Sequence, residues 1–111
     1  MKYIYELIGT FFLVLTVGLT VLNPDSAGLL APLAIGSVLA VMVFAGAHVS
    51  GGHYNPAISL SVYIRGKLSV KDLGAYWLVQ IIGAIIAAWI VMYLKGTSQA
   101  FPIHFDVWKA F

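Results

Sequence analysis

From Ser26 to Ile64 the chain runs 39 residues without a Lys, Arg, Asp or Glu, and that run is broken internally by Ser50-Gly51-Gly52-His53-Tyr54-Asn55-Pro56. A bilayer core about 30 Å thick is crossed by about 20 apolar helical residues, so the run is too long for one span and holds a full span plus a half-span. Local chemistry places the half-span. Asn55 is a helix N-cap, Pro56 occupies the first helical position, where its missing N–H costs nothing, and Ala57 to Ile64 continue an apolar helix. Taken to Arg65, its ten residues rise about 15 Å, half the bilayer core. The residues before it, extended at about 3.3 Å each, cover a similar distance, and two adjacent glycines free them to turn. An extended chain going in and a half-helix coming back make a re-entrant loop over residues 50–65, with Asn55 at the turning point near the midplane.

Two more charge-free windows flank this one, 18 residues from Leu7 to Pro24 and 22 from Leu73 to Leu94, each fitting one helix. The expected spans are about 3–22, 30–49 and 73–94. A chain that is 61% hydrophobic and 9% charged, with a mean hydropathy of +0.97, does not have the balance of a soluble domain. The expected fold class is an all-α membrane protein: three transmembrane helices plus one re-entrant half-helix, forming a single repeat over residues 1–111. Lys2 and the apolar run after it imitate a signal peptide, but Glu6 lies inside the run, the run is long, and no clean small-residue cleavage site follows. With no cysteine there is no disulfide framework, and a net charge of +2 spread over loops leaves no footprint for nucleic acid.

Unpaired backbone cannot face lipid, and non-helical chain at that depth is tolerated only inside protein or along a water-filled cavity. The loop is therefore expected to line a hole. Its wall offers the carbonyl oxygens of Gly51, Gly52, His53 and Tyr54 as acceptors and the Asn55 carboxamide as a donor. The free N–H groups of the helix start, with about half a positive charge from the macrodipole, repel cations and disfavour a proton-carrying water wire. Neutral hydrogen-bonding solutes pass such a wall and ions do not.

The octapeptide Ser50-Gly51-Gly52-His53-Tyr54-Asn55-Pro56-Ala57 resembles the first Asn-Pro-Ala loop of the major intrinsic proteins, the aquaporins and glycerol facilitators. The resemblance extends along nearly the whole chain, through Glu6, Gly9, Thr10 and Phe11 in the first span and Tyr76, Gln80 and Gly83 in the last. It implies a passive channel for water or a small neutral solute, in which Asn55, Pro56 and Ala57 form the pore motif and Glu6 and Gln80 are supporting polar residues. It implies a homo-oligomer, a tetramer of pores, embedded in membrane lipid. By the family's spacing, Ile35 occupies a position of the outer constriction where an aromatic is usual. An isoleucine departs from that pattern and makes the filter apolar on this side; without the resemblance, Ile35 is a lipid-facing or core aliphatic.

Along the chain, Glu6 either snorkels to the interface or faces the bundle and accepts from backbone N–H groups. Asn23 to Gly28 form a turn cluster, so the first two spans pack antiparallel. Small residues in the second span (Ala34, Gly36, Ser37, Ala40, Ala45, Gly46, Ala47) and in the third (Gly74, Gly83, Ala84, Ala87, Ala88) mark helix-packing faces. His48 and His53 lack a nearby carboxylate or thiol and sit among glycines, so a packed or pore-side role is favoured over a metal site, and no cofactor is expected. Gln80 is polar at mid-membrane and is expected to point at the re-entrant loop. Tyr3, Tyr5, Trp77, Trp89 and Tyr93 are candidates for an interfacial belt or lipid-facing bulk. The aromatic tail from Gly96 to Phe111 lies along the interface or packs on the mouth. Lys2, Arg65, Lys67 and Lys71 fall on one side and Lys95 and Lys109 on the other, which favours a cytoplasmic N-terminus in the cell membrane.

Three spans and a half-helix make a wall and not a tube. Transport folds of this kind pair inverted repeats about a midplane site, and the resemblance implies a second Asn-Pro-Ala loop followed by a filter arginine; Ile58 follows Ala57 here. Two completions are open. The chain is the N-terminal half of a channel whose second half lies elsewhere, or two copies insert in opposite orientations as an antiparallel pair, which the charge bias opposes. An enzyme is disfavoured because no nucleophile has a base within reach. A half-repeat of an ion-coupled transporter uses broken helices too, but usually brings carboxylates to the midplane. A non-conducting membrane module leaves the non-helical loop without a reason.

Overall fold

The computed structural model describes residues 1–96. It is all-helical there: α1 (Lys2–Val21), a single 3-10 turn (Gly28–Leu30) leading into α2 (Ala31–Ser50), the short α3 (Pro56–Ile64), and α4 (Val70–Lys95). Three of these segments, Lys2–Val21, Gly28–Ser50 and Val70–Lys95, are long and apolar enough to cross a membrane. The expectation for the aromatic tail falls on residues 97–111 and lies outside the described residues.

α1 and α4 run parallel and are tied at both ends. At one end Lys2 Nζ and the Tyr3 hydroxyl both donate to the Asp72 carboxylate, at 2.8 Å and 2.7 Å. At the other, Lys95 Nζ donates to the carbonyls of Leu22 and Pro24, satisfying acceptors that the end of α1 leaves free. Tyr3 is thus a tie between helices and not only an interfacial aromatic. Between the ends, Gly83 lets the two backbones close in: a Cβ there would lie 2.6 Å from the Leu7 carbonyl oxygen. α2 packs antiparallel on α1, and α3 packs on α4.

Hydroxyls inside an apolar helix need local acceptors, and Thr16, Thr20 and Ser61 each donate to the carbonyl four residues back, at 2.7–2.9 Å. The small-residue faces are covered only in part by the described residues. Gly46, Gly83 and Ala87 are buried, but Gly36, Ser37, Ala40, Ala45, Gly74 and Ala88 are exposed, and nothing approaches within 4 Å of a Cβ built at Gly36 or Gly74. The reason is topological: α2 meets the rest of the described residues along its α1 side, so most of its small residues have no described neighbour.

Candidate functional site

The connection between α2 and α3 turns back into the molecule. α2 ends at Ser50, with Gly51 as a left-handed C-cap (φ 92°) whose N–H returns to the Ala47 carbonyl at 2.9 Å. Gly52 (φ 67°) and Tyr54 (φ 55°) are left-handed as well, a conformation that costs a non-glycine residue about 1–2 kcal/mol. Tyr54 is held there at both ends. Its backbone N–H donates to Glu6 Oε1 at 2.9 Å and its hydroxyl donates to the Met42 carbonyl at 2.5 Å. The ring is 2% exposed and lies against Gly9 and Gly46, where a Cβ would come within 2.1 Å and 2.3 Å of Tyr54 atoms.

Glu6 is the hub. Fully buried, it accepts from the Tyr54 N–H, from Gln80 Nε2 at 3.0 Å and from the Ser50 hydroxyl at 2.8 Å. Three donors to one carboxylate from α2, the loop and α4 are what a buried acid needs where lipid surrounds the bundle, and its burial is incompatible with snorkelling. Gln80 also donates to Ser59 Oγ at 3.0 Å, which meets His53 Nδ1 at 2.9 Å. The Tyr76 hydroxyl donates to the Ser50 carbonyl at 2.6 Å. Trp77 Nε1 donates to the Pro56 carbonyl at 3.0 Å, so this tryptophan holds the start of α3.

Asn55 is the N-cap of α3, extended (φ −160°, ψ 129°), with Oδ1 accepting from the Ala57 N–H at 2.8 Å. That bond assigns the amide's orientation: its oxygen is committed to the helix, and its NH2 is left to point away. Asn55, Pro56 and Ala57 are exposed. Together with Thr10 and Val14 of α1 and Gln80 and Ala84 of α4, Asn55 and Pro56 line a cleft of about 320 Å³. Thr10 and Val14 lie in the middle of α1 and Gln80 and Ala84 in the middle of α4, so Asn55 sits at mid-depth. The cleft continues past Val17 as an apolar groove between α1 and α4 that reaches Leu22.

The N–H groups of Gly51, Gly52 and Tyr54 are tied back to Ala47, Ser50 and Glu6. Among the described residues no group donates to the carbonyls of Gly51, Gly52, His53 or Tyr54. The loop is therefore an acceptor ladder ending in an amide donor at the start of a half-helix. Ile35, in the second turn of α2, is half-buried; some 15 residues and about 22 Å of helix separate it from Ser50, and it does not line the cleft. His48 is exposed in the last turn of α2, apart from the network that holds His53. Sequence reasoning did not single out the side chains of Ser50, Ser59 or Tyr54, and it read Trp77 as an interfacial or lipid-facing aromatic. For the two serines, their position in and just after the non-helical stretch was the available signal.

A parallel helix pair with a half-helix seated on it, started by a capped Asn-Pro at mid-depth, defines a multi-pass α-helical membrane protein with a re-entrant loop. The profile of the family described as Major intrinsic protein matches residues 1–109, and this chain belongs to that family. It is 42% identical to Aquaporin Z of Brucella melitensis over 62% of this chain and 30% of that protein. Identity to the glycerol uptake facilitator protein-like 6 of Lactiplantibacillus plantarum is 38% over 78% of this chain and 40% of that protein. Identity to Aquaporin Z of Rhodopseudomonas palustris is 35% over 99% of this chain and 47% of that protein. The chain spans less than half the length of these curated relatives.

Proposed function

We propose that the chain forms one wall of a passive channel for water or small neutral solutes such as glycerol. The observation that carries this reading is the four consecutive carbonyls of Gly51, Gly52, His53 and Tyr54, without a donor among the described residues, beside an Asn55 amide whose oxygen is already used by the Ala57 N–H. A neutral solute with both donor and acceptor capacity matches a row of acceptors ending in a donor. A desolvated cation meets acceptors on the loop but then the positive end of α3, which turns it back. The names of the relatives, aquaporin and glycerol uptake facilitator, support the same substrate class.

The pore needs a second wall. A second half of the same design, or an antiparallel copy of this chain, meets the open side of Asn55, Pro56 and Ala57 and closes the passage, and several such pores assemble in the cell membrane. Lys2 and the Arg65–Lys71 turn, joined through Asp72, face the cytoplasm. An ion-coupled transporter half is disfavoured because Glu6, the buried carboxylate among the described residues, is engaged by three protein donors and does not line the cleft.

The test is osmotic shrinkage of proteoliposomes containing this chain alone, by stopped flow, with Asn55→Leu as control. Fast shrinkage lost in the control supports a pore built from copies of the chain. Folded, inserted protein that shrinks no faster than empty liposomes shows that a separate second half is required. Flux that depends on an ion gradient would overturn the channel reading.

A further inference from the structure

Two polar atoms of the bundle are buried without a hydrogen-bond partner among the described residues: Thr10 Oγ1 and Gln80 Oε1. Both residues are almost fully buried, at 3% and 0% exposure, and both line the cleft at Asn55. Their orientations are set by what surrounds them. The Gln80 carboxamide nitrogen is held by Glu6 Oε1 and Ser59 Oγ, so its oxygen is turned away from that pair. Flipping the amide would place an oxygen against the Glu6 carboxylate oxygen, which cannot donate. Thr10 lies one turn beyond Glu6 on α1, yet its hydroxyl does not use the carbonyl four residues back as Thr16, Thr20 and Ser61 do. Buried polar atoms in native proteins are nearly always bonded, and where no protein group serves, an ordered water making two to four bonds is the usual partner.

We propose that Thr10 and Gln80 hold one resident water molecule at the inner edge of the cleft, joining α1 to α4. It donates to Gln80 Oε1 and is bonded to the Thr10 hydroxyl, and it thereby keeps the Gln80 nitrogen on Glu6 and Ser59. Thr10 is then a positioning residue that acts on the Glu6 hub through the water. This assignment rests on the bundle and not on conduction.

Two measurements on the purified full chain in detergent micelles test it, neither reading flux. Thr10→Val keeps shape and removes the hydroxyl, and Thr10→Ser keeps the hydroxyl. With a resident water, Thr10→Val strips Gln80 Oε1 of its partner and lowers the unfolding midpoint by about 4–8 °C, while Thr10→Ser keeps more of the stability than Thr10→Val. If the site is dry, Thr10→Val removes an unsatisfied buried hydroxyl, and an unchanged or raised midpoint overturns the proposal. Rotating-frame cross-relaxation between a long-lived water and the Thr10 γ-methyl in the unsubstituted protein gives the second readout, valid even if a variant fails to fold. A cross-peak supports the site and its absence overturns it. A Thr10→Val effect that fades on dilution, without a cross-peak, would assign the partner to another polypeptide and overturn it too.

Discussion

Glu6 Oε1 accepts the backbone N–H of Tyr54 at 2.9 Å, across 48 positions of sequence. This one bond, from the first turns of α1 to the residue before Asn55, holds the turning point of the loop in place. The left-handed Tyr54 backbone depends on it, and so does the direction in which the loop carbonyls face.

Replacing Glu6 tests that dependence. Glu6→Gln preserves size but presents an N–H where three donors converge, so at least one buried donor is left unpaired, at a cost of about 1–3 kcal/mol. Glu6→Ala leaves the Tyr54 N–H with no acceptor and takes one acceptor from Gln80 Nε2, which keeps Ser59 Oγ, while the Ser50 hydroxyl falls back on the Gly46 carbonyl; it is expected to cost more, because no acceptor remains at the hub. The check is thermal unfolding in detergent, with proteolysis at the Gly51–Asn55 loop rising in parallel; a Glu6→Gln protein as stable and resistant as the original would remove Glu6 as the hub.

Gly9 and Gly74 are predicted to respond oppositely to alanine. At Gly9 the new Cβ would lie 2.1 Å from the Tyr54 ring, which cannot retreat because its hydroxyl is bonded to Met42. Gly74 has nothing within 4 Å, and alanine there is expected to be neutral or stabilising by up to about 1 kcal/mol through helix propensity. Yields of folded, monodisperse protein rank the two.

Asn55 has two separable roles, capping α3 and donating into the cleft. Asn55→Ser retains a capping oxygen and loses the amide donor, so stability should hold within about 0.5 kcal/mol while solute flux falls in whatever assembly conducts. Asn55→Asp also caps, but its negative charge offsets the positive end of α3; reduced solute flux with new cation leakage is expected. Unchanged flux and ion exclusion in both would show that the amide does not act on the solute.

Orientation can be read directly because the chain has no cysteine. Lys67→Cys is expected to react with a membrane-impermeant thiol reagent from the cytoplasmic side only, and Asp25→Cys from the opposite side only. Labelling of each from both sides would establish dual insertion and revive the antiparallel pair against the charge bias.

The membrane class, the three expected spans and the half-helix could be read from the chain alone. These are local properties: charge-free length decides what can cross lipid, and Asn-Pro after two glycines decides where a helix begins. Asn55 as N-cap was legible for the same reason, and α3 ends within a residue of its expected end. Which polar groups meet was not legible, because the bonds of Glu6 to Ser50, Tyr54 and Gln80 join positions 44, 48 and 74 residues apart. Likewise Trp77 and Tyr3 read as interfacial aromatics, since a strand of sequence carries no information on which neighbour an indole or phenol will reach. On α2 the small residues permit close approach, but only a neighbouring helix makes it happen, and among the described residues that neighbour is α1 on one side. Only the packing of α1 against the loop turns the Tyr54 N–H inward, because its acceptor is the carboxylate that α1 brings there, whereas the N–H groups of Gly51 and Gly52 find acceptors within four residues of chain.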